Sequence, residues 1–277
     1  MKLVYLGTPD MAVAPLRALV EAGHEVVLVV TRVDKRRGRG SGVTPSPVKE
    51  AALELGLPVS HSVDDVLAAV RDGGAELGVV VAFGQIIELR VLDVIPMVNL
   101  HFSLLPRWRG AAPVERALLA GDAVTGVCVM ALEEGLDTGG VYARRELPIG
   151  PETTAAELRM ELVEVGTRLL VDTLAVPLEE WIEAPEPQTG EVTYAAKFSG
   201  ADFEIDWNAP VDDTHRLILV GGAWTTFRNK RLKINEATLV DGVLQPQIVQ
   251  PEGKAPMNFD AWRNGARPAG DELFGSQ

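Results

Sequence analysis

The sequence predicts an α/β protein with a doubly wound, mostly parallel sheet and a small C-terminal β-barrel. Three observations predict it. β-branched runs alternate with amphipathic stretches as far as Leu174; a Pro-, Glu- and Gly-containing stretch at 181–190 then breaks the alternation; short strand candidates separated by turn residues fill the remainder.

In chain order, Leu3–Leu6 reads as a strand, Ala12–Ala22 as a helix and Val26–Thr31 as a second strand, which together make a βαβ unit. Helices follow near Ser46–Leu55 and Val63–Arg71, then strands at Leu77–Ala82 and near Val98–His101, a helix at Ala112–Ala120 and a strand at Gly126–Ala131. A helix at about Ala155–Leu174 closes the series. Such alternation places helices on both faces of a Rossmann-like sheet. Ligands of these sheets sit beyond the carboxyl ends of the strands, so the loops after Leu6, Ala82 and His101 are the candidates. Trp224–Phe227 and Leu232–Asn235 are strand candidates of the barrel. The expected domains are 1–182, a linker over 183–197, and 198–277.

Composition narrows the function. A chain of 277 residues, 47% apolar and 23% charged, is a globular protein with room for one large and one small domain. Its longest apolar runs, such as Val26–Val30 and Gly78–Ala82, fall far below the roughly 20 residues of a membrane helix. The opening MKLVYLGTPD enters a strand without the features of an export signal, so a cytoplasmic location and no membrane partner are expected. Cys128 is the only cysteine and reads as core filling within Gly126–Met130. A net charge of −13 argues against non-specific nucleic-acid binding, yet Arg32, Lys35, Arg36, Arg37 and Arg39 form a local basic patch.

The glycine turns do not spell a nucleotide site. Gly7-Thr8-Pro9-Asp10 lacks the dinucleotide spacing, and the run Gly38–Gly42 is not followed by Lys with Ser or Thr. The first reads as a tight strand-to-helix turn, with direct ligand contact as the alternative.

Asn99 and His101 are two apart at a strand end and project from one face. An amide and an imidazole so placed can hold a carbonyl oxygen and carry a proton, although a strand-end His is also a common structural residue. The acidic, glycine-rich run Glu133–Gly140 is either a surface turn or a loop that brings Asp137 to His101, fixing the ring and stabilising its charged form.

Taken together, GTPDMAVAPL, RGRGSGVTPSPVK, VAFGQII, NLHFSLLPRWRGAAPVERALLAGDAVTGV and EEGLDTG resemble the methionyl-tRNA formyltransferase branch of the 10-formyltetrahydrofolate-dependent formyltransferases over nearly the whole chain. Met11 stands where that family usually has an aromatic residue. The resemblance implies formyl transfer from 10-formyltetrahydrofolate to the amino group of methionine on initiator tRNA, by a monomer without a metal. It implies Asn99, His101 and Asp137 as the catalytic trio. It implies Phe83, Gly84, Gln85, Ile86, Ser103, Leu104, Leu105, Pro106, Leu132 and Gly135 around the folate. Arg36, Arg37 and Arg39 in the basic insertion, with Lys197, match residues that meet the charged tRNA. In the implied mechanism Asn99 and His101 both donate to the formyl oxygen, and Asp137 holds the imidazole and helps move the proton.

The C-terminal part departs from that family. The run after Leu232 passes through Val240-Asp241-Gly242 almost directly to Val249, so an OB-like barrel shortened by two or three strands is expected, with eleven acids against eight bases over 201–277. Transfer to a small amine such as a nucleotide-linked amino sugar is therefore the main alternative. Formyl hydrolysis, and a binding protein without turnover, are the others.

Overall fold

The structure, a computed structural model, describes residues 1–36, 43–269 and 274–275. It divides into two compact units: Met1–Pro113 with Val124–Pro148 and Arg159–Ala195, and Val114–Ala123 with Ile149–Leu158 and Ala196–Gln277.

The first unit is built on a seven-stranded sheet of β1 (Lys2–Gly7), β2 (Glu25–Val30), β3 (Val59–Ser60), β4 (Leu77–Val81), β5 (Met97–His101), β6 (Val124–Ala131) and β7 (Val141–Pro148), in the order β7-β6-β5-β4-β1-β2-β3. The first five run parallel; β6 lies antiparallel to β5, and β7 antiparallel to β6. Winding leaves β1 in one direction toward β3 and resumes at β4 in the other, so the topological switch point lies between β1 and β4. Every residue of β4, and all of β1 after Lys2, is buried, as a parallel sheet covered on both faces requires.

The helices of this unit are α1 (Val13–Glu21), α2 (Pro47–Glu54), α3 (Asp65–Arg71), the single turn α4 (Leu89–Leu92) and α6 (Ala155–Leu174) from Arg159 onward; α5 (Pro113–Ala120) falls almost wholly in the second unit. α2 begins where the sequence signals it, with Ser46 Oγ accepting from Lys49 N at 3.1 Å and Pro47 in the first turn. Strand alternation sorts the core. Val4, Leu6, Val80 and Met97 pack with Val66 of α3, Val91 of α4 and Ile95 on one face. Leu100 and Val127 face the other way and close on Gly166 of α6, where an added Cβ would lie 3.2 Å from Leu100.

The second unit carries a four-stranded antiparallel sheet of β8 (Trp224–Phe227), β9 (Lys230–Val240), β10 (Val243–Pro251) and β11 (Met257–Asn258), with α7 (Val211–Val220) and α8 (Phe259–Ala266). Its core gathers Ile205, Ile218, Phe227, Leu232, Ile234, Val249 and Trp262. Both long hairpins close through two residues of positive φ, Arg228-Asn229 and Asp241-Gly242, whose twist matches that of the flanking strands. The small C-terminal domain is thus a short antiparallel sheet, and Val243–Pro251, absent from the strand candidates, is one of its long strands.

Two features of the first unit escape the sequence pattern. β7 is an edge strand with Arg144, Arg145 and Glu146 exposed, so its apolar alternation is faint. The stretch expected as a linker is part of the first unit as far as Ala195. Val141 and Glu186 exchange backbone hydrogen bonds, and Tyr194–Ala195 pairs in parallel with Arg109–Gly110. Backbone pairing of this kind has no side-chain periodicity to announce it. Among the described residues no helix is long and apolar enough to cross a membrane.

Candidate active site

β5 delivers Asn99 and His101 to the carboxyl edge of the sheet on the face that also carries Met97. Their partners across the ladder are Met130 and Cys128, which pack with Leu105 and Val141 into an apolar floor. His101 is 5% exposed. Its Nε2 donates to the carbonyl oxygen of Trp108 at 2.9 Å, which leaves Nδ1 without a proton in the neutral ring. Trp108 is itself held in a left-handed conformation, φ 66°, with its N–H donating to Thr193 Oγ1 at 2.8 Å. Among the described residues the Asn99 side chain makes no hydrogen bond, so its amide is free to take a ligand.

Asp137 arrives from the loop between β6 and β7. Its Oδ2 lies 3.7 Å from His101 Nδ1 and accepts from Gly110 N–H at 2.7 Å; both side chains are largely enclosed, the carboxylate 12% exposed and the imidazole 6%. The residue itself is left-handed, φ 50°. Around it the glycines are steric necessities. A Cβ on Gly139 would stand 2.0 Å from the carbonyl oxygen of Ala131, and one on Gly110, whose φ is 119°, would stand 2.9 Å from that of Ala195.

The expected trio is therefore brought together, with one change in how it is held. The imidazole is fixed by a backbone carbonyl rather than by Asp137, and the carboxylate is fixed by a backbone N–H. His101 Nε2–H is already committed, so the neutral ring has no second donor for a formyl oxygen; Nδ1 is an acceptor.

The other expected residues fall into groups. Phe83 is buried in the apolar cluster against which Leu132 packs, so the loops after β4 and β6 leave the sheet from a common base. Beyond it Gly84 and Gln85 are exposed, Ile86 is 89% exposed, and Leu136 beside the exposed Gly135 is 61% exposed. Ser103 and Leu105 present almost no side-chain surface. Ser103 Oγ donates to Arg107 O at 2.6 Å; Leu105 belongs to the floor, Pro106 is buried and Leu104 lies against Gly126. These residues shape the loop that returns to His101. Thr8 Oγ1 donates to Phe83 O at 3.3 Å, so the Gly7-Thr8-Pro9 turn braces the loop after β4. Arg36 lies in a two-residue strand pair with Val43–Thr44, Arg37 and Arg39 lie outside the described residues, and Lys197 is an exposed residue of the second unit.

Trp108, Gly110, Gln188 and Thr193 were not expected at the site. The first two act through backbone atoms, and the last two lie in the Pro- and Gly-containing stretch that reads as linker. Cys128 is fully buried, as its apolar run suggests, and burial pushes its thiol pKa up. Among the described residues no cluster of three or more His, Cys, Asp or Glu could hold a metal ion.

Comparison with known proteins identifies the family. The formyl transferase family model matches residues 1–174. The chain is 43% identical to the methionyl-tRNA formyltransferase of Symbiobacterium thermophilum over 302 aligned positions, covering 96% of this chain and 92% of that one. It is 48% identical to that of Heliobacterium modesticaldum over 244 positions, covering 84% and 77%. Among solved structures it is similar in fold to the N-formyltransferase of Helicobacter canadensis in complex with folinic acid and dTDP-3-aminofucose, with a TM-score of 0.67, 18% identity, and 87% and 88% of the two chains covered.

Proposed function

The chain belongs to the methionyl-tRNA formyltransferase family, and on that premise we propose that it moves a formyl group from 10-formyltetrahydrofolate to the amino group of methionine on initiator tRNA, with Asn99, His101 and Asp137 acting on the reacting atoms. One observation carries this reading: a proton-accepting Nδ1 faces an enclosed carboxylate at 3.7 Å, at the end of the strand that also presents a free carboxamide.

The surroundings fit a folate. Ile86 and Leu136 leave large apolar side chains uncovered on two loops that share one base, as an aromatic ring system would need, and the Asn99 amide is available for a carbonyl. When bound there, 10-formyltetrahydrofolate supplies the formyl carbon and the nitrogen that departs from it.

Attack by the amine forms the new C–N bond and places charge on the formyl oxygen. The Asn99 amide donates to that oxygen and lowers the barrier. The attacking nitrogen must then lose a proton, which His101 Nδ1 accepts. Asp137 stabilises the resulting imidazolium at short range, while Trp108 O keeps the ring from turning. The proton passes from Nδ1 to the departing nitrogen as its bond to the formyl carbon breaks. Proton and charge balance over the cycle.

An RNA partner needs local positive charge on a chain of net −13. The second unit supplies some. A shallow groove of about 520 Å³ on its sheet is lined by Trp224, Asn229, Gln250, Arg231 and Lys233 together with one acid, Glu252, and the Arg231 guanidinium lies 3.9 Å from the Trp224 ring centroid. The basic run of Arg36, Arg37 and Arg39 in the sequence adds further local positive charge, and this supports a tRNA acceptor over a small amine.

The test is an acceptor panel: 10-formyltetrahydrofolate with methionine-charged initiator tRNA, charged elongator tRNA, or nucleotide-linked amino sugars. We expect N-formylmethionine on the initiator alone. Formylation of an amino sugar instead would replace the acceptor, and transfer to none would overturn the reading.

A further inference from the structure

Gln188 lies between Glu186, which is bonded to Val141, and Tyr194–Ala195, which pairs with Arg109–Gly110. Its carboxamide works in two directions. Nε2 donates to the carbonyl oxygens of Asp137 at 2.8 Å and Gly139 at 2.7 Å, while Oε1 accepts from Arg109 Nε at 3.0 Å and Nη2 at 2.7 Å. The next residue after Arg109 is Gly110, whose N–H holds the Asp137 carboxylate. Asp137 is thus gripped twice, its backbone through Gln188 and its side chain through Gly110.

Both ends of the amide are needed. A carboxylate would point lone pairs at two carbonyl oxygens, and an ammonium would offer Arg109 no acceptor. The grip also selects one backbone state, because Asp tolerates φ near 50° better than most residues with a Cβ but adopts extended and right-handed conformations as well.

We propose that Gln188 is a positioning residue for formyl transfer: it holds the backbone of Asp137 in the left-handed conformation that aims the carboxylate at His101 Nδ1. This rests on Asp137 acting in the reaction. Displacement of a reacting group by about 1 Å costs on the order of 100-fold in rate, which sets the expected scale.

The test uses the full chain as Q188M, D137A and the double variant. It measures kcat at saturating substrates, KM for 10-formyltetrahydrofolate, the thermal midpoint, and the exchange rate of the Gly110 amide proton in the substrate-free protein. For Q188M we expect kcat to fall roughly 10- to 100-fold. KM for the donor should change little, and Gly110 exchange should quicken because its acceptor has moved. In the D137A background the same substitution should have almost no further effect on kcat, because the group it positions is gone. Wild-type kcat and Gly110 exchange in a folded Q188M, or losses that multiply in the double variant, would overturn the proposal. A D137A protein with wild-type kcat would overturn the active-site assignment itself, which separates the two failures. If Q188M does not fold, Q188E carries the same test, since it keeps an acceptor for Arg109 and withdraws the two donors.

Discussion

His101 and Asp137 face each other at 3.7 Å, yet neither is held in place by the other: Trp108 O fixes the imidazole and Gly110 N–H fixes the carboxylate. The pair is preorganised by backbone groups of a single loop, so removing the charge on one member should leave the other where it is. Asp137→Asn keeps an oxygen for Gly110 and removes the charge that the proposed mechanism sets beside the proton-carrying imidazole. We expect kcat to fall roughly 100-fold or more with the thermal midpoint nearly unchanged, measured by steady-state formylation beside a melting curve. A large drop in the midpoint with normal kcat would mean that the carboxylate serves the fold.

Gly139 predicts a steric outcome. Its added Cβ would meet the carbonyl oxygen of Ala131, at the end of β6, at 2.0 Å, so the loop must move away from the sheet. Gly139→Ala should cost about 1–3 kcal/mol of stability and lower kcat with it. Gly135→Ala meets the side chain of the exposed Thr138 rather than backbone at the end of a strand, so an exposed loop residue has to give way, and it should cost less. Comparing the two melting curves checks the order.

Cys128 predicts a pH dependence of stability. Burial raises its folded pKa above the ordinary value of 9.0, so the folded chain holds the thiol proton longer than the unfolded one. This contribution is complete below about pH 9 and is lost as pH rises through the folded pKa. Denaturation midpoints from pH 7 to 10 should therefore fall more steeply in the wild type than in Cys128→Ala. A thiol reagent at pH 8 should react only after unfolding.

Much of this was legible in the residues, for reasons that differ between its parts. The strands carrying Leu3–Leu6, Leu77–Val81 and Met97–His101 show themselves because a sheet covered on both faces needs continuous apolar runs. Asn99 and His101 show themselves by spacing, and Asp137 by the glycines that crowd its loop. Much of what stayed hidden acts through main-chain atoms. Trp108 contributes a carbonyl and Gly110 an N–H, and Glu186 and Thr193 join Val141, Pro106 and Arg109 by backbone pairing that side-chain type does not encode. Gln188 lay in a stretch of Pro, Glu and Gly that looks like a spacer, and only the tertiary fold brings it to Arg109 and Asp137. In the second unit, β10 was missed because most of its residues are partly exposed and Pro246 interrupts its pattern, although the Asp241-Gly242 turn before it is a strong hairpin signal.

The basic insertion predicts a separable effect on acceptor binding. Neutralising Arg39 should raise KM for charged initiator tRNA several-fold while KM for the folate donor stays the same, and the salt dependence of tRNA binding should weaken by about one unit of log–log slope. Titrations at two or three salt concentrations, run against both substrates, measure this. Equal effects on both would remove Arg39 from the acceptor surface.

The most direct measurement is the single-turnover rate of formyl transfer to methionine-charged initiator tRNA by Asn99→Ala, with enzyme and 10-formyltetrahydrofolate saturating. If the Asn99 amide meets the formyl oxygen as charge develops there, the rate falls on the order of 100- to 1,000-fold while donor binding is kept. A rate close to wild type would contradict formyl transfer at the end of β5 by an amide, an imidazole and a carboxylate.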